Sequence, residues 1–186
     1  MSAILAEETI GVLGSGTDEH DELARQVGEL LAELEVNLLT GGGGGVMRSV
    51  SRAFTETKRK RGVCIGIIPC LSERERGRPK EGYPNEFVEL AIYTHLPLSG
   101  DRGKEDLSRN HINVLTCAAL IALPGELGTA SEVALALDYT KPAIAYSPDT
   151  SLVRHFPQSI RRVTMLEDVK QFLKQHLRRR PDVQRP

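Results

Sequence analysis

Val36 to Phe54 reads VNLLTGGGGGVMRSVSRAF. The apolar run Val36 to Leu39 has the composition of a strand. Through Thr40 it enters five consecutive glycines, Gly41 to Gly45. Val46, Met47, Val50, Ala53 and Phe54 then recur at helical spacing. A strand that ends in a glycine turn and continues as a helix is one βα unit of a parallel sheet.

The same alternation extends in both directions. Thr9 to Leu13 predicts a strand, and Asp18 to Leu34 predicts a helix with Leu23, Val27, Leu30, Leu31 and Leu34 on one side. Downstream, Val63 to Ile68 is a third strand and Phe87 to Ile92 a fourth. Lys104 to Thr116 predicts a helix carrying Leu107, His111, Val114 and Leu115 on its apolar side. Ala118 to Leu123 is a fifth strand, Thr129 to Leu137 a helix, and Pro142 to Tyr146 a sixth strand. A short last strand over Arg162 to Met165 precedes a helix defined by Leu166, Val169, Phe172, Leu173 and Leu177. Wholly apolar strands alternating with helices indicate a parallel sheet covered on both faces. The expected fold is a single α/β domain over residues 1–177, Rossmann-like and doubly wound. A loop-rich excursion over 70–103 interrupts it, and a basic tail, 178–186, follows it.

Composition agrees with a globular chain. The 186 residues are 40% hydrophobic, 26% charged and 4% aromatic, with 24 basic and 25 acidic side chains. A net charge of −1 argues against a nucleic-acid binder, which carries a basic excess. The basic run Lys58 to Arg61 reads as the solvated end of the second helix. The longest apolar stretch, Val114 to Leu123, is half the length of a spanning helix. The N-terminal stretch lacks the basic region of a signal peptide. Cys64, Cys70 and Cys117 lack metal spacing and read as buried hydrophobes in a reducing, cytoplasmic setting. A Cys64–Cys70 pair is the weaker alternative. The five histidines show no ligand spacing, so no bound metal is expected.

Three strand ends carry special loops: Gly14-Ser15-Gly16, Gly41 to Gly45, and Pro124-Gly-Glu-Leu-Gly-Thr129. In open parallel sheets ligands bind at the carboxyl ends of strands. A helix N-terminus follows each loop and favours an anion. Glu19 replaces the third glycine of a dinucleotide fingerprint, and no acidic residue ends the second strand to hold a ribose, so NAD is not expected. Gly103-Lys104 is followed by Glu105, which excludes a P-loop. Any one of these loops reads as a tight turn, whereas three at one sheet edge read as a phosphate site. Glu132 lies in the first turn of its helix, and Thr129-x-x-Glu132 also fits a capping box. Arg109 and Asn113 stand four apart. On the residues alone, Arg109 reads as part of a solvated helix face or an i,i+4 side-chain pair.

At these residues the chain resembles the Rossmann-type superfamily once called "possible lysine decarboxylases". That group holds the LONELY GUY phosphoribohydrolases and the molybdenum cofactor carrier proteins. The resemblance rests on TGGGGGVM (Thr40 to Met47), RNHIN (Arg109 to Asn113) and PGELGTASEVALAL (Pro124 to Leu137), and extends from Ile10 to Tyr146. The hydrolases carry P-G-G-x-G-T-x-x-E. Its catalytic glutamate falls on Glu132, and the family's catalytic arginine, fifteen residues before the proline, falls on Arg109. Glu126 stands where the hydrolases have the second glycine, and a carboxylate there opposes a nucleotide phosphate. The RNHIN segment and the GGGGGVM loop are closer to the carriers.

The resemblance implies a protein that binds the molybdenum cofactor as cargo. Gly14, Ser15 and Gly16, the glycines Gly41, Gly42, Gly43, Gly44 and Gly45, and Met47 form one side of the expected site. Arg109, Asn113, Pro124, Gly125, Glu126, Gly128, Thr129 and Glu132 form the other. The alternative is a nucleoside 5′-monophosphate phosphoribohydrolase in which Glu132 and Arg109 are catalytic and the products are free base and ribose 5-phosphate. A nucleotide-sensing module without turnover is a third. Nothing resembles a pyridoxal-phosphate lysine site. The resemblance further implies a homodimer or homotetramer; the balanced charge and the short apolar runs predict no nucleic-acid or membrane partner.

Overall fold

The structure is a computed structural model. It describes residues 8–58, 60–72, 74–75 and 77–177, with the side chain of Asp101 left aside. The tail 178–186, the N-terminal stretch through residue 7, and Arg59 of the basic run lie outside the described residues.

Seven strands form one parallel sheet. They are β1 (Thr9–Leu13), β2 (Asn37–Thr40), β3 (Cys64–Ile68), β4 (Leu90–Tyr93), β5 (Ala119–Ala122), β6 (Ala143–Tyr146) and β7 (Arg161–Val163). Their order is β4-β3-β2-β1-β5-β6-β7. The chain winds outward from β1 to β4, then returns to start again at β5. The switch point therefore lies between β1 and β5, where Leu13 pairs with Ala122. Five helices cover the sheet: α1 (Asp21–Glu33), α2 (Val46–Glu56), α3 (Asn110–Thr116), α4 (Leu127–Asp138) and α5 (Leu166–His176).

Alternation along the strands makes two cores. Ile10, Val12, Leu38 and Ile121 pack with Val27 and Leu31 of α1, Val50 and Phe54 of α2, and Phe172 of α5. Leu13, Leu39, Leu120 and Ala122 face the other way, toward Val114 and Val133 and Phe156. This is the doubly wound arrangement read from the sequence. The cysteines are free and buried, so the Cys64–Cys70 pair does not form. Burial pushes the Cys64 thiol up to about 11 and that of Cys117 up to about 12.

Several boundaries differ from expectation. α1 begins at Asp21 rather than Asp18. The Ser15 Oγ accepts the Thr17 and Asp18 N–H groups, and His20 adopts φ 40°, so those residues form a turn. The helix expected over Lys104 to Thr116 starts only at Asn110. Before it, Ser108 Oγ accepts the Asn110 N–H and Ser108 bridges to Leu98, which holds 104–109 in turns. α2 ends at Glu56, so the basic run does not complete that helix. Lys60 instead binds Glu89 at 2.8 Å, and Arg61 binds Glu35 at 3.1 Å. β4 is an edge strand with Leu90, Ile92 and Tyr93 exposed, unlike the covered strands of the centre. Among the described residues, no helix is long and apolar enough to cross a membrane.

Candidate functional site

The three loops meet at the carboxyl ends of β1, β2 and β5, and Ser15 joins them. Its N–H donates to the Pro124 carbonyl at 3.0 Å, and its carbonyl accepts the Val46 N–H at 2.9 Å. Its hydroxyl donates to Glu126 Oε1 at 2.8 Å. Ser15 is fully buried. It is the connector of the site rather than a lining residue. Gly45, with φ +58°, makes the turn into α2 beneath the Ser15 carbonyl, a backbone shape that glycine tolerates.

Beside this junction is a cavity of about 440 Å³, within the range of small-ligand sites. Gly14, Gly16, Gly41, Met47, Arg109 and Glu126 line it, together with Gly128, Thr129 and Glu132. Of the other expected residues, Ser15, Gly42, Gly43, Gly44, Gly45, Pro124 and Gly125 shape the loops behind the lining. Asn113 acts through Glu132.

Arg109 is not on a solvated helix face. It is the N-cap residue of α3 and is 4% exposed. Its guanidinium lies against Gly41, where any Cβ would overlap Nη1, Nη2 and Cζ. Gly41 is thus the floor on which the cation rests. The Nε and Nη1 atoms are buried without a hydrogen-bond partner. Buried polar atoms of a charged group are costly unless paired. Arg109 is also part of the cavity wall.

Glu132 lies one turn into α4 and is half-buried. α4 starts at Leu127, so Thr129 is inside the helix and the capping box does not form. Glu132 Oε1 instead accepts from Asn113 Nδ2 at 3.2 Å. Burial pushes the Glu132 carboxyl above its ordinary value, while the Arg109 charge and the Asn113 bond pull it back. Arg109 and Glu132 line one cavity within a single chain. Glu126 is exposed at the N-cap of α4, where the helix dipole favours its charge. Its carboxylate takes up the Ser15 hydroxyl and sits at the end where a ligand's anion would otherwise approach.

Seven lining residues were not anticipated: Val12, Leu13, Thr17, Tyr83, Ser99, Gly100 and Asn110. Asn110 adjoins Arg109 in the RNHIN segment, and that adjacency was the available signal. Tyr83, Ser99 and Gly100 come from the excursion. Asn85 pins it to the glycine loop, its N–H donating to the Gly42 carbonyl at 2.7 Å and its Nδ2 to the Gly43 carbonyl at 2.9 Å. The Tyr83 ring then covers Gly43. No local pattern in the sequence marks those contacts.

Comparison with known proteins places this geometry among relatives. The sequence model of the SLOG cluster4 family matches residues 7–173. An uncharacterized protein of Archaeoglobus fulgidus is 35% identical over 141 residues, covering 75% of this chain and 80% of that protein. Among solved structures, the molybdenum cofactor binding protein of the phototrophic bacterium Rippkaea orientalis is 32% identical with a TM-score of 0.68. That alignment covers 90% of this chain and 96% of the other. The molybdenum cofactor carrier protein of Chlamydomonas reinhardtii is 28% identical, with a TM-score of 0.62, covering 90% and 98%.

Proposed function

The chain belongs to the SLOG cluster4 family, and we propose that it binds the molybdenum cofactor as a carrier or store. The observation that carries this reading is Arg109. A buried guanidinium with unpartnered Nε and Nη1 faces a cavity at the switch point of the sheet. The likeness to proteins described as binding or carrying that cofactor supports the choice of ligand. The cofactor is a pterin dithiolene with a terminal phosphate and an oxyanionic molybdenum head. Arg109 offers a planar fork to one oxyanion. Gly41 lets the cation lie flat, and the amides of the glycine loop at the start of α2 favour negative charge. Glu126 at α4 steers an oxyanion away from that helix and toward Arg109. The excursion narrows access, as protection of a labile cargo requires.

One observation favours the hydrolase reading. Glu132, Asn113 and Arg109 form a cluster with a carboxyl raised by burial, which suits acid–base work on a glycosidic bond. Incubation with AMP and N6-substituted AMP, followed by chromatography for free base and ribose 5-phosphate, separates the two. The carrier reading expects no base release. Release that is lost in Glu132→Ala would establish the hydrolase.

The protein is further proposed to act as a homodimer or homotetramer in the cytoplasm. Leu115, Leu127 and Tyr139 on and after α3 and α4 remain exposed in the single chain. Light scattering in solution reads the oligomeric state directly.

A further inference from the structure

Lys80 is a cation that the excursion holds behind the pocket wall at Ser99, and the proposed function leaves it unused. The segment carrying it is held from two sides. Asn85 anchors it to the carbonyls of Gly42 and Gly43. Lys80 Nζ itself lies 3.3 Å from Ser99 Oγ, and Ser99 is part of the pocket wall. Lys80 is half-buried, and no carboxylate among the described residues forms an ion pair with it. The charge acting on it most directly is another cation. Burial first, and the Arg109 charge second, hold the Lys80 ammonium below the usual lysine range.

Lys80 stands one hydrogen bond behind a wall residue of the cavity that Arg109 lines, and two cations so placed repel each other in the free protein. Both are relieved when an anion sits between them. We propose that Lys80 is the second cation of the Arg109 subsite and makes it selective for a doubly charged tetrahedral oxyanion. A phosphate monoester and a molybdate-type head share that chemistry. Lys80 leaves Ser99 to contact the anion, and the Ser99 hydroxyl, which only accepts from Lys80, keeps its hydrogen to donate as well. Glu132 lines the same cavity but forms no ion pair with Arg109 among the described residues. The inference rests on the pocket being an anion site, as proposed above.

The test uses tungstate and perrhenate, tetrahedral oxyanions of matching electron count carrying two charges and one. Equilibrium dialysis at mildly alkaline pH measures both against the full chain. Wild type is expected to prefer tungstate by about tenfold, the scale of one charge-assisted contact. Lys80→Met is expected to lose that preference and Lys80→Arg to keep it, with unchanged melting curves. Arg109→Met is expected to lose both anions. A folded Lys80→Met that still prefers tungstate by the wild-type margin overturns the role of Lys80 alone. A wild type that binds neither anion overturns the anion site and this inference with it. Addition of AMP distinguishes the sources. Displacement of tungstate assigns the subsite to a phosphate monoester, and joint binding assigns it to the metal oxyanion head. Both of these results support the two-cation subsite.

Discussion

Arg109 carries a charge into the protein and leaves two of its nitrogens without partners. An unsatisfied buried group costs about 1–3 kcal/mol. Arg109→Met removes that cost while keeping an extended side chain. The unliganded variant is therefore expected to melt higher than wild type, by ~2–4 °C per kcal/mol, and to lose anion binding. A variant that melts lower shows that the guanidinium is structurally paired. Glu132 is the complementary case. Its folded pKa lies above its unfolded value, so ionisation opposes folding. At acid pH both states hold the proton and the penalty vanishes. Above the folded pKa the full penalty applies. Glu132→Gln is expected to raise Tm, with a gain that is absent at acid pH, grows as pH rises through the unfolded pKa and levels above the raised folded pKa. Thermal melts across that range check the sign. The two residues were legible in the sequence through their motif spacing. Their burial was not, because a capping box and a solvated helix face use the same residue types. Only the packing of α3 against α4 distinguishes those readings.

At the scale of elements, the site depends on loops that fit one another without slack. A methyl group on Gly41 overlaps the Arg109 guanidinium. Overpacking of this kind costs about 1–3 kcal/mol. Gly41→Ala is expected to destabilise by that amount and to abolish tungstate binding although Arg109 is intact. Unchanged binding would show that the guanidinium rests elsewhere. Asn85 ties the excursion to the glycine loop through two bonds. In Asn85→Ala the side-chain bond is lost at a cost of about 1–2 kcal/mol, and faster amide exchange is expected over residues 80–85. Exchange unchanged from wild type would show that the tie is redundant. The βα units were legible because strand and helix periods differ so clearly. The start of α3 was not. Residues 104–109 have helical composition, but Ser108 competes for the backbone and Leu98 bridges to it. The contact of Tyr83 with Gly43 spans the chain from the excursion to the second loop, and no local pattern encodes such a pairing.

The whole molecule places its chemistry where the winding of the sheet reverses. β1 and β5 lie side by side there, and the loops after β1, β2 and β5 close around one cavity. Family membership and this topology were both legible, since the alternation of elements and the glycine-rich ends survive in the sequence. The same cavity holds an arginine suited to an oxyanion and a carboxyl suited to proton transfer. The choice between cargo and substrate therefore lies in the ligand. The proposed function requires that the protein retain the molybdenum cofactor unchanged through Arg109. The direct test is anaerobic incubation of the full chain with molybdenum cofactor, followed by size-exclusion chromatography and analysis of molybdenum and pterin in the protein peak. Wild type is expected to carry both, and folded Arg109→Met neither. A wild-type peak free of molybdenum and pterin would contradict the account.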